Sequence, residues 1–392
     1  MEEMIMRKSY FAIIALGALV IASCQKENSA VLPKVDSPVF TATLDDGTKT
    51  ALDATGKKSE WISGDAIRVL NGTNTDGCAA EYTTTDSGES ATFTTTAEGF
   101  TGTEFVAMYP ASPAGSAWWN KESPEYVNKL YLNPEQRAIE GSYDPNAHIA
   151  VAYSKNTSLA FMNAVSLFKF TVESDNVSEV CIYPNTSTDY VAGNFNIAVT
   201  GEHVGTITKD RGISDGWTNN NYVKATGNFE KGKTYYIACL PTTFTKGFTV
   251  EVVSLGNKEA AKTTPKNYTL NRNKILDLGN VESTVETRTL YLDITTCWSQ
   301  ATAKYDAWIW GDGMSGTWVD FKVAKGNILK TTIPNNTKGI KIYRREPNMP
   351  SHDKDNDANR WNTVQVDDIT SKNIITITDW WAATASETIP TI

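Results

Sequence analysis

Histidine and cysteine are scarce in this chain, three and five among 392 residues. That is too little for a histidine-rich metal centre. No two cysteines form a C-x-x-C pair, which removes zinc-ribbon and thioredoxin-like sites. Phosphate-cradling glycine loops, G-x-S-x-G elbows and H-E-x-x-H helices are absent as well. Acidic side chains are plentiful, but nothing singles out a glycosidase pair. Basic residues are outnumbered, 36 against 45 acidic, for a net charge of -9. Proteins that bind nucleic acid by neutralising phosphates carry the opposite balance, so nucleic acid is not an expected partner. Helical periodicity is missing too, and only Lys258 to Lys262 (KEAAK) is helix-permissive. No cofactor is implied, and the composition points away from an enzyme.

What the chain does have is threonine, 50 residues by count, with 26 Gly, 14 Pro and 40 aromatic residues (11 Trp, 16 Tyr, 13 Phe). Threonine loses side-chain freedom in helices and packs well on pleated sheets, so the composition leans to an extracellular all-β protein. The one long apolar run lies near the start. Arg7 and Lys8 precede Phe11 to Ala22, a signal-type segment too short to span a bilayer comfortably. Ile21-Ala22-Ser23-Cys24 resembles a bacterial lipobox, in which the cysteine is lipidated and becomes the first mature residue. The expectation is a signal peptide over 1–23, a lipid anchor to the outer membrane at Cys24 and a polar tether over 24–36. Cys78, Cys181, Cys239 and Cys297 are widely spaced. Cys181 and Cys239 read as buried small hydrophobes, with a bridge between them as the alternative.

From residue 37 onward, short apolar or alternating runs are punctuated by Gly, Asn and Asp, as in Val39 to Leu44, Ala66 to Leu70, Glu104 to Tyr109, Ser166 to Val172, Lys233 to Leu240 and Gly247 to Leu255. Residues 111–146 carry four prolines and read as irregular. The polar string 281–288 reads as a linker. The predicted organisation is three β-sandwiches, over 37–155, 156–280 and 289–392. Seven of the eleven tryptophans fall in the last of these.

In Phe40 to Leu70 a strand is followed by Trp61, Gly64, Asp65, Ile67 and Val69 in a Trp-x-x-Gly-Asp-x-Ile-x-Val pattern. Further on come Asn133-Pro134-Glu135-Gln136-Arg137, Gly141-Ser142-Tyr143-Asp144-Pro145, and Phe161, Asn163, Leu167, Lys169 and Phe170. Together these resemble the fimbrillin-like lipoproteins of Bacteroides and relatives. The resemblance implies two transthyretin-like β-sandwich domains and a surface role as anchor, accessory or tip component of a fimbrium. It also implies assembly by strand donation between subunits, through main-chain pairing at a sheet edge. Polymerising members lose an amino-terminal strand after an arginine. Here no arginine lies between Cys24 and Arg68, which suits a terminal or non-polymerising component. Locally, Trp61 is expected in the core, Gly64 at a special backbone angle, and Asp65 capping the turn.

Residues 289 to about 381 resemble the starch-binding-type carbohydrate modules of bacterial extracellular proteins, chiefly through Tyr305 to Trp310 and the stretch Ile342 to Asn362. A planar indole can take the apolar face of a sugar while polar side chains satisfy its hydroxyls. In a strand, Asp306, Trp308 and Trp310 share one side and Ala307 and Ile309 the other. The candidate glycan-binding residues are therefore Trp298, Asp306, Trp308, Trp310, Trp318, Arg344, Arg345 and Gln365. Trp361 reads as packing. Adjacent Trp380 and Trp381 are expected to divide between core and solvent. Asp353, Asp355 and Asp357 alternate in a loop that begins like a calcium site but lacks its glycine and terminal glutamate.

Overall fold

A computed structural model describes residues 36–44, 51–52, 59–72, 78–111, 117–209, 221–300, 302–352 and 361–389. Cys24 with its lipobox-like string, and Asp353, Asp355 and Asp357, lie outside these. The described chain is all-β, with one short 3-10 turn at Pro145–Ala147 and no α-helix among the described residues.

The amino-terminal sheet has seven strands in the order Ala79–Thr83, Ala66–Leu70, Phe105–Tyr109, Ala150–Ser154, Ser158–Asn163, Phe40–Leu44 and Ser90–Phe93. Phe40–Leu44 lies inside the sheet, parallel to Ser158–Asn163 and antiparallel to Ser90–Phe93. Trp61 is fully buried against Phe93, Tyr109 and Phe161, and its indole N–H donates to the Ala42 carbonyl at 3.1 Å. The turn after it is built as its residues require. Gly64 has φ +97°, the Asp65 carboxylate accepts from Ile62 N–H at 2.8 Å, and it also accepts from the Tyr109 hydroxyl at 2.9 Å.

Phe105–Tyr109 is buried on both faces, because this sheet serves two cores. Ala107 and Tyr109 face the Trp61 cluster, while Val106 and Met108 face a larger core that extends to Val281. Around that larger core lie a five-stranded sheet (Glu135–Arg137, Val223–Thr226, Val177–Pro184, Phe248–Ser254, Asn257–Thr264), a three-stranded sheet centred on Ser166–Val172, and a four-stranded sheet centred on Gly193–Ala198 and Tyr126–Leu132.

One reading of the sequence is corrected here. Residues 111–146 are not irregular throughout: Trp118–Trp119, Tyr126–Leu132 and Glu135–Arg137 are strands paired with partners in and beyond the region. The alternation of Tyr126–Leu132 is broken by a bulge at Lys129, φ 55°, whose N–H donates to Asn196 Oδ1 at 3.0 Å, and this hides the strand period. The helix-permissive KEAAK lies in the edge strand Asn257–Thr264, because the turn at Leu255 and Gly256 folds it back on Phe248–Ser254. Cys181 and Cys239 are both buried and unbridged.

The segment after Val281 is held in place. The Glu259 carboxylate accepts from Thr284 N–H at 3.0 Å and from the Ser283 and Thr284 hydroxyls. The remaining residues form a sandwich of two sheets. One has the order Lys322–Lys325, Ile328–Pro334, Thr287–Asp293, Ile374–Asp379, Ala382–Ser386. The other has the order Thr317–Asp320, Lys304–Gly311, Thr337–Arg345, Asn362–Val366. Their core holds Leu290, Leu292, Trp298, Ala307, Ile309, Ile340, Ile342 and Ile375. Leu255, at the tip of the neighbouring hairpin, is packed into the same core, and Ser315 N–H donates to the Gly256 carbonyl at 2.8 Å. Gly256 has φ +79°, and a Cβ there would run into the Ser315 carbonyl.

Candidate functional site

On Lys304–Gly311 the side chains of Ala307 and Ile309 enter the sandwich core, so strand alternation turns Asp306, Trp308 and Trp310 to the outer face of the four-stranded sheet. Register extends that face sideways. Trp308 stands opposite Trp318 on one side and Lys341 on the other, and Lys341 stands opposite Gln365. One cross-strand row therefore reads Trp318, Trp308, Lys341, Gln365. The next reads Asp320, Asp306, Tyr343, Thr363. Trp310 lies beyond Trp308, opposite Gly339.

Trp308, Trp310, Trp318 and Lys341 are half-buried and Gln365 is exposed. Small residues let the indoles lie close to the backbone: a Cβ on Gly316 would overlap the Trp308 ring, and one on Gly339 the Trp310 ring. Trp318 is fixed by edge contact with Trp308 (5.5 Å, 72°), by Tyr343 (5.2 Å) and by His352, which stacks on it at 5.5 Å and 13°. An indole held by rings on several sides keeps its orientation, and so can offer a preorganised surface.

Beneath the rings lies an ion pair removed from solvent. Asp306 is 1% and Arg345 0% exposed, and the Arg345 Nε–H is 2.9 Å from each carboxylate oxygen. The Arg345 guanidinium also lies 4.6 Å from the Tyr343 ring and 5.5 Å from that of Trp318. His352 N–H donates to Asp306 Oδ2 at 2.8 Å, and its ring nitrogen is 2.8 Å from Asp320 Oδ1. Asp306, Asp320 and His352 bring potential ligand atoms within 4.8 Å of one another. The Arg345 guanidinium already occupies both Asp306 oxygens, and its charge opposes a cation there. The arrangement is a clamp that seats His352 on Trp318.

The other candidates separate from this face. Trp298 is 1% exposed in a turn, φ 69°, and its Nε1–H donates to the Trp380 carbonyl at 3.0 Å. Arg344 points the opposite way from Arg345 and is buried. It donates to the Trp298 carbonyl (3.1 Å), Asn362 Oδ1 (2.9 Å) and Gln300 Oε1 (2.5 Å), and its guanidinium lies over Trp361 at 4.6 Å. Trp298 and Arg344 thus close one end of the sandwich, and Asp306 and Arg345 work from below the surface. These four are corrected from exposed candidates to packing or positioning groups. Trp380 and Trp381 are also corrected: both are exposed, at 49% and 67%, because they form the turn between Ile374–Asp379 and Ala382–Ser386 rather than an extended pair. The sequence reading missed Lys341, Tyr343 and His352. Alternation along Thr337–Arg345 places Lys341 and Tyr343 with Arg345, but which strand lies beside Trp308 could not be read from the chain.

At the Trp318 edge the face opens into a cleft of about 730 Å3. It is walled by Trp318, His352 and Asp320, by Lys322, Lys330 and Thr332 of the second sheet, and by Asn176, Ser178 and Asn228 of the neighbouring β region.

No known protein-family profile matches the chain, and no curated protein matches it in sequence. Among solved structures it is similar to a candidate cell adhesion protein of Bacteroides ovatus (14% identity, TM-score 0.36, covering 62% of this chain and 92% of that one). It is also similar to a fimbrial assembly protein of Parabacteroides distasonis (8%, TM-score 0.30, 64% and 94%). A third is the tip fimbrial protein Mfa3 of Porphyromonas gingivalis, truncated at its carboxy terminus (8%, TM-score 0.27, 62% and 94%). Overlaps of this size are too loose to transfer a role.

Proposed function

We propose that the chain is a non-enzymatic cell-surface component of adhesin type, anchored by lipid at Cys24 and binding glycan through its carboxy-terminal sandwich. The observation that carries this reading is the outer face on which Trp308, Trp310 and Trp318 stay partly exposed beside Lys341 and Gln365. Ordinary packing would turn indoles inward, whereas a platform of apolar rings edged by an ammonium and an amide matches the two surfaces of a sugar. The lipobox-like Ile21 to Cys24 and the fimbrillin-like strings of residues 40–170 support placement on a surface fimbrium or beside it, as anchor, accessory or tip.

The test is a glycan array probed with the full chain, repeated with Trp308→Ala and Trp310→Ala. Binding at millimolar affinity or better, weakened at least tenfold in variants whose melting curve stays near wild type, is the expected result. A full chain that binds no glycan at millimolar concentration would overturn the reading. Membrane fractionation of Cys24→Ala tests the anchor separately, with release into the soluble fraction expected.

A structural fimbrial subunit without a sugar ligand is the second reading. It is favoured by one observation: Phe40–Leu44 pairs parallel to Ser158–Asn163 inside its sheet, so its removal would open a slot for another chain's strand.

A further inference from the structure

The cleft beside Trp318 has a charge pattern that the indole platform does not require. Lys322 and Lys330 are exposed, and they stand directly opposite each other on adjacent antiparallel strands. Like charges in register repel, and sequences usually relieve this with a nearby carboxylate. Among the described residues neither lysine has an ion-pair partner. The carboxylate that shares the cleft, Asp320, is already bonded to His352 at 2.8 Å. Among the described residues, two ammonium groups without an ion-pair partner thus share one polar cleft with a single carboxylate, Asp320, in a protein whose net charge is -9.

Part of the remaining lining is uncommitted as well. The side chains of Asn176, Asn228, Thr317 and Thr332 make no hydrogen bond among the described residues, although all face the cleft. One wall is the rigid stack of Trp318 and His352. Amide and hydroxyl groups suit sugar hydroxyls, an indole suits a ring face, and paired ammonium groups suit an anionic substituent. A volume of about 730 Å3 has room for two or three pyranose rings.

We infer that this cleft binds an anionic saccharide, carboxylated or sulfated, whose acidic group sits between Lys322 and Lys330 while a ring packs against the edge of the Trp318–His352 stack. The inference rests on the glycan reading above and narrows it to a charge class and a second subsite. Neutral sugars would use the Trp308 and Trp310 platform alone.

The test is isothermal titration of the full chain with three probes: an oligogalacturonate, a sulfated galactan oligosaccharide that carries no carboxylate, and maltotriose as the neutral control. The anionic probes bind more tightly than maltotriose, and their affinity falls with added salt. Lys322→Gln and Lys330→Gln lie on an exposed surface and relieve a repulsion, so both variants fold. Each weakens the anionic probes by about fivefold and leaves maltotriose unchanged. Whichever of the two anionic probes responds identifies the acidic group as carboxylate or sulfate. Anionic affinity no greater than that for maltotriose, or insensitive to both lysine variants, overturns the inference while leaving the glycan reading standing. Absence of binding to all three probes and to the array overturns both.

Discussion

The buried pair Asp306 and Arg345 gives a quantitative handle on the whole site. Asp306→Ala leaves a guanidinium in a position with no solvent exposure, and it deletes the acceptor for His352 N–H. Removing one partner of a buried pair costs about 3–5 kcal/mol, and the lost backbone hydrogen bond adds about 1 kcal/mol. Against the roughly 5–15 kcal/mol that holds a domain together, that is a large fraction. The double variant Asp306→Leu/Arg345→Met removes both charges together and recovers most of the loss. It falls short of wild type by about 1–2 kcal/mol because the contacts of Arg345 with Tyr343 and Trp318 go with it.

The assay is urea unfolding of the full chain followed by tryptophan fluorescence, which mainly reports the carboxy-terminal sandwich because seven of the eleven tryptophans lie there. With a slope of about 2 kcal/mol per molar urea, the single variant shifts that transition down by about 2–3 M. Its native emission also changes, since His352 is no longer seated on Trp318. A shift below about 0.5 M, or a double variant no more stable than the single, would refute the reasoning that this pair clamps the face.

Two further outcomes follow from other parts of the molecule. Gly256→Ala should lower the melting temperature well beyond Gly313→Ala: both positions have left-handed φ (+79° and +75°), but only Gly256 has a carbonyl where the Cβ would go. The strain common to both is about 1–2 kcal/mol, and an equal effect from the two variants would show that the Leu255 hairpin does not dock as described. His148 should make the protein acid-sensitive. Its ring is fully buried between Tyr109 and Tyr143 with no partner for either nitrogen among the described residues, and burial pushes its pKa down from 6.5 to about 3. The unfolded chain therefore takes up a proton that the folded chain refuses. Stability falls as pH drops from 6.5 towards 3, by up to about 1.4 kcal/mol per pH unit from this group. In His148→Phe the urea midpoint changes less between pH 7 and pH 4, and an identical change in both proteins would count against the argument.

Much of the architecture was legible in the chain because strand patterns are local. The alternation of Lys304–Gly311 put Ala307 and Ile309 on one side and Trp308 and Trp310 on the other, leaving the packing to decide which side is buried, and the Trp61 to Asp65 string predicted its own turn. Where local signals misled, a neighbour had decided. A single bulge at Lys129 hid the strand Tyr126–Leu132, the fold-back at Gly256 made a strand of a helix-permissive string, and a tight turn exposed both Trp380 and Trp381.

By itself, then, the sequence determined the β class, the side of each strand on which a residue falls, the clustering of tryptophan in the last sandwich and the lipobox-like start. Those properties depend on composition and on a period of two, and both are written in consecutive residues. Tertiary structure alone decided which of the aromatic and charged candidates meet. Arg344 and Arg345 are adjacent in sequence yet serve opposite faces. Trp318, Tyr343 and His352 are far apart in sequence yet touch, and Lys322 meets Lys330 across a hairpin. Strand order and register are set by the burial of all faces at once, so they cannot be read from one segment, and the site exists only through them.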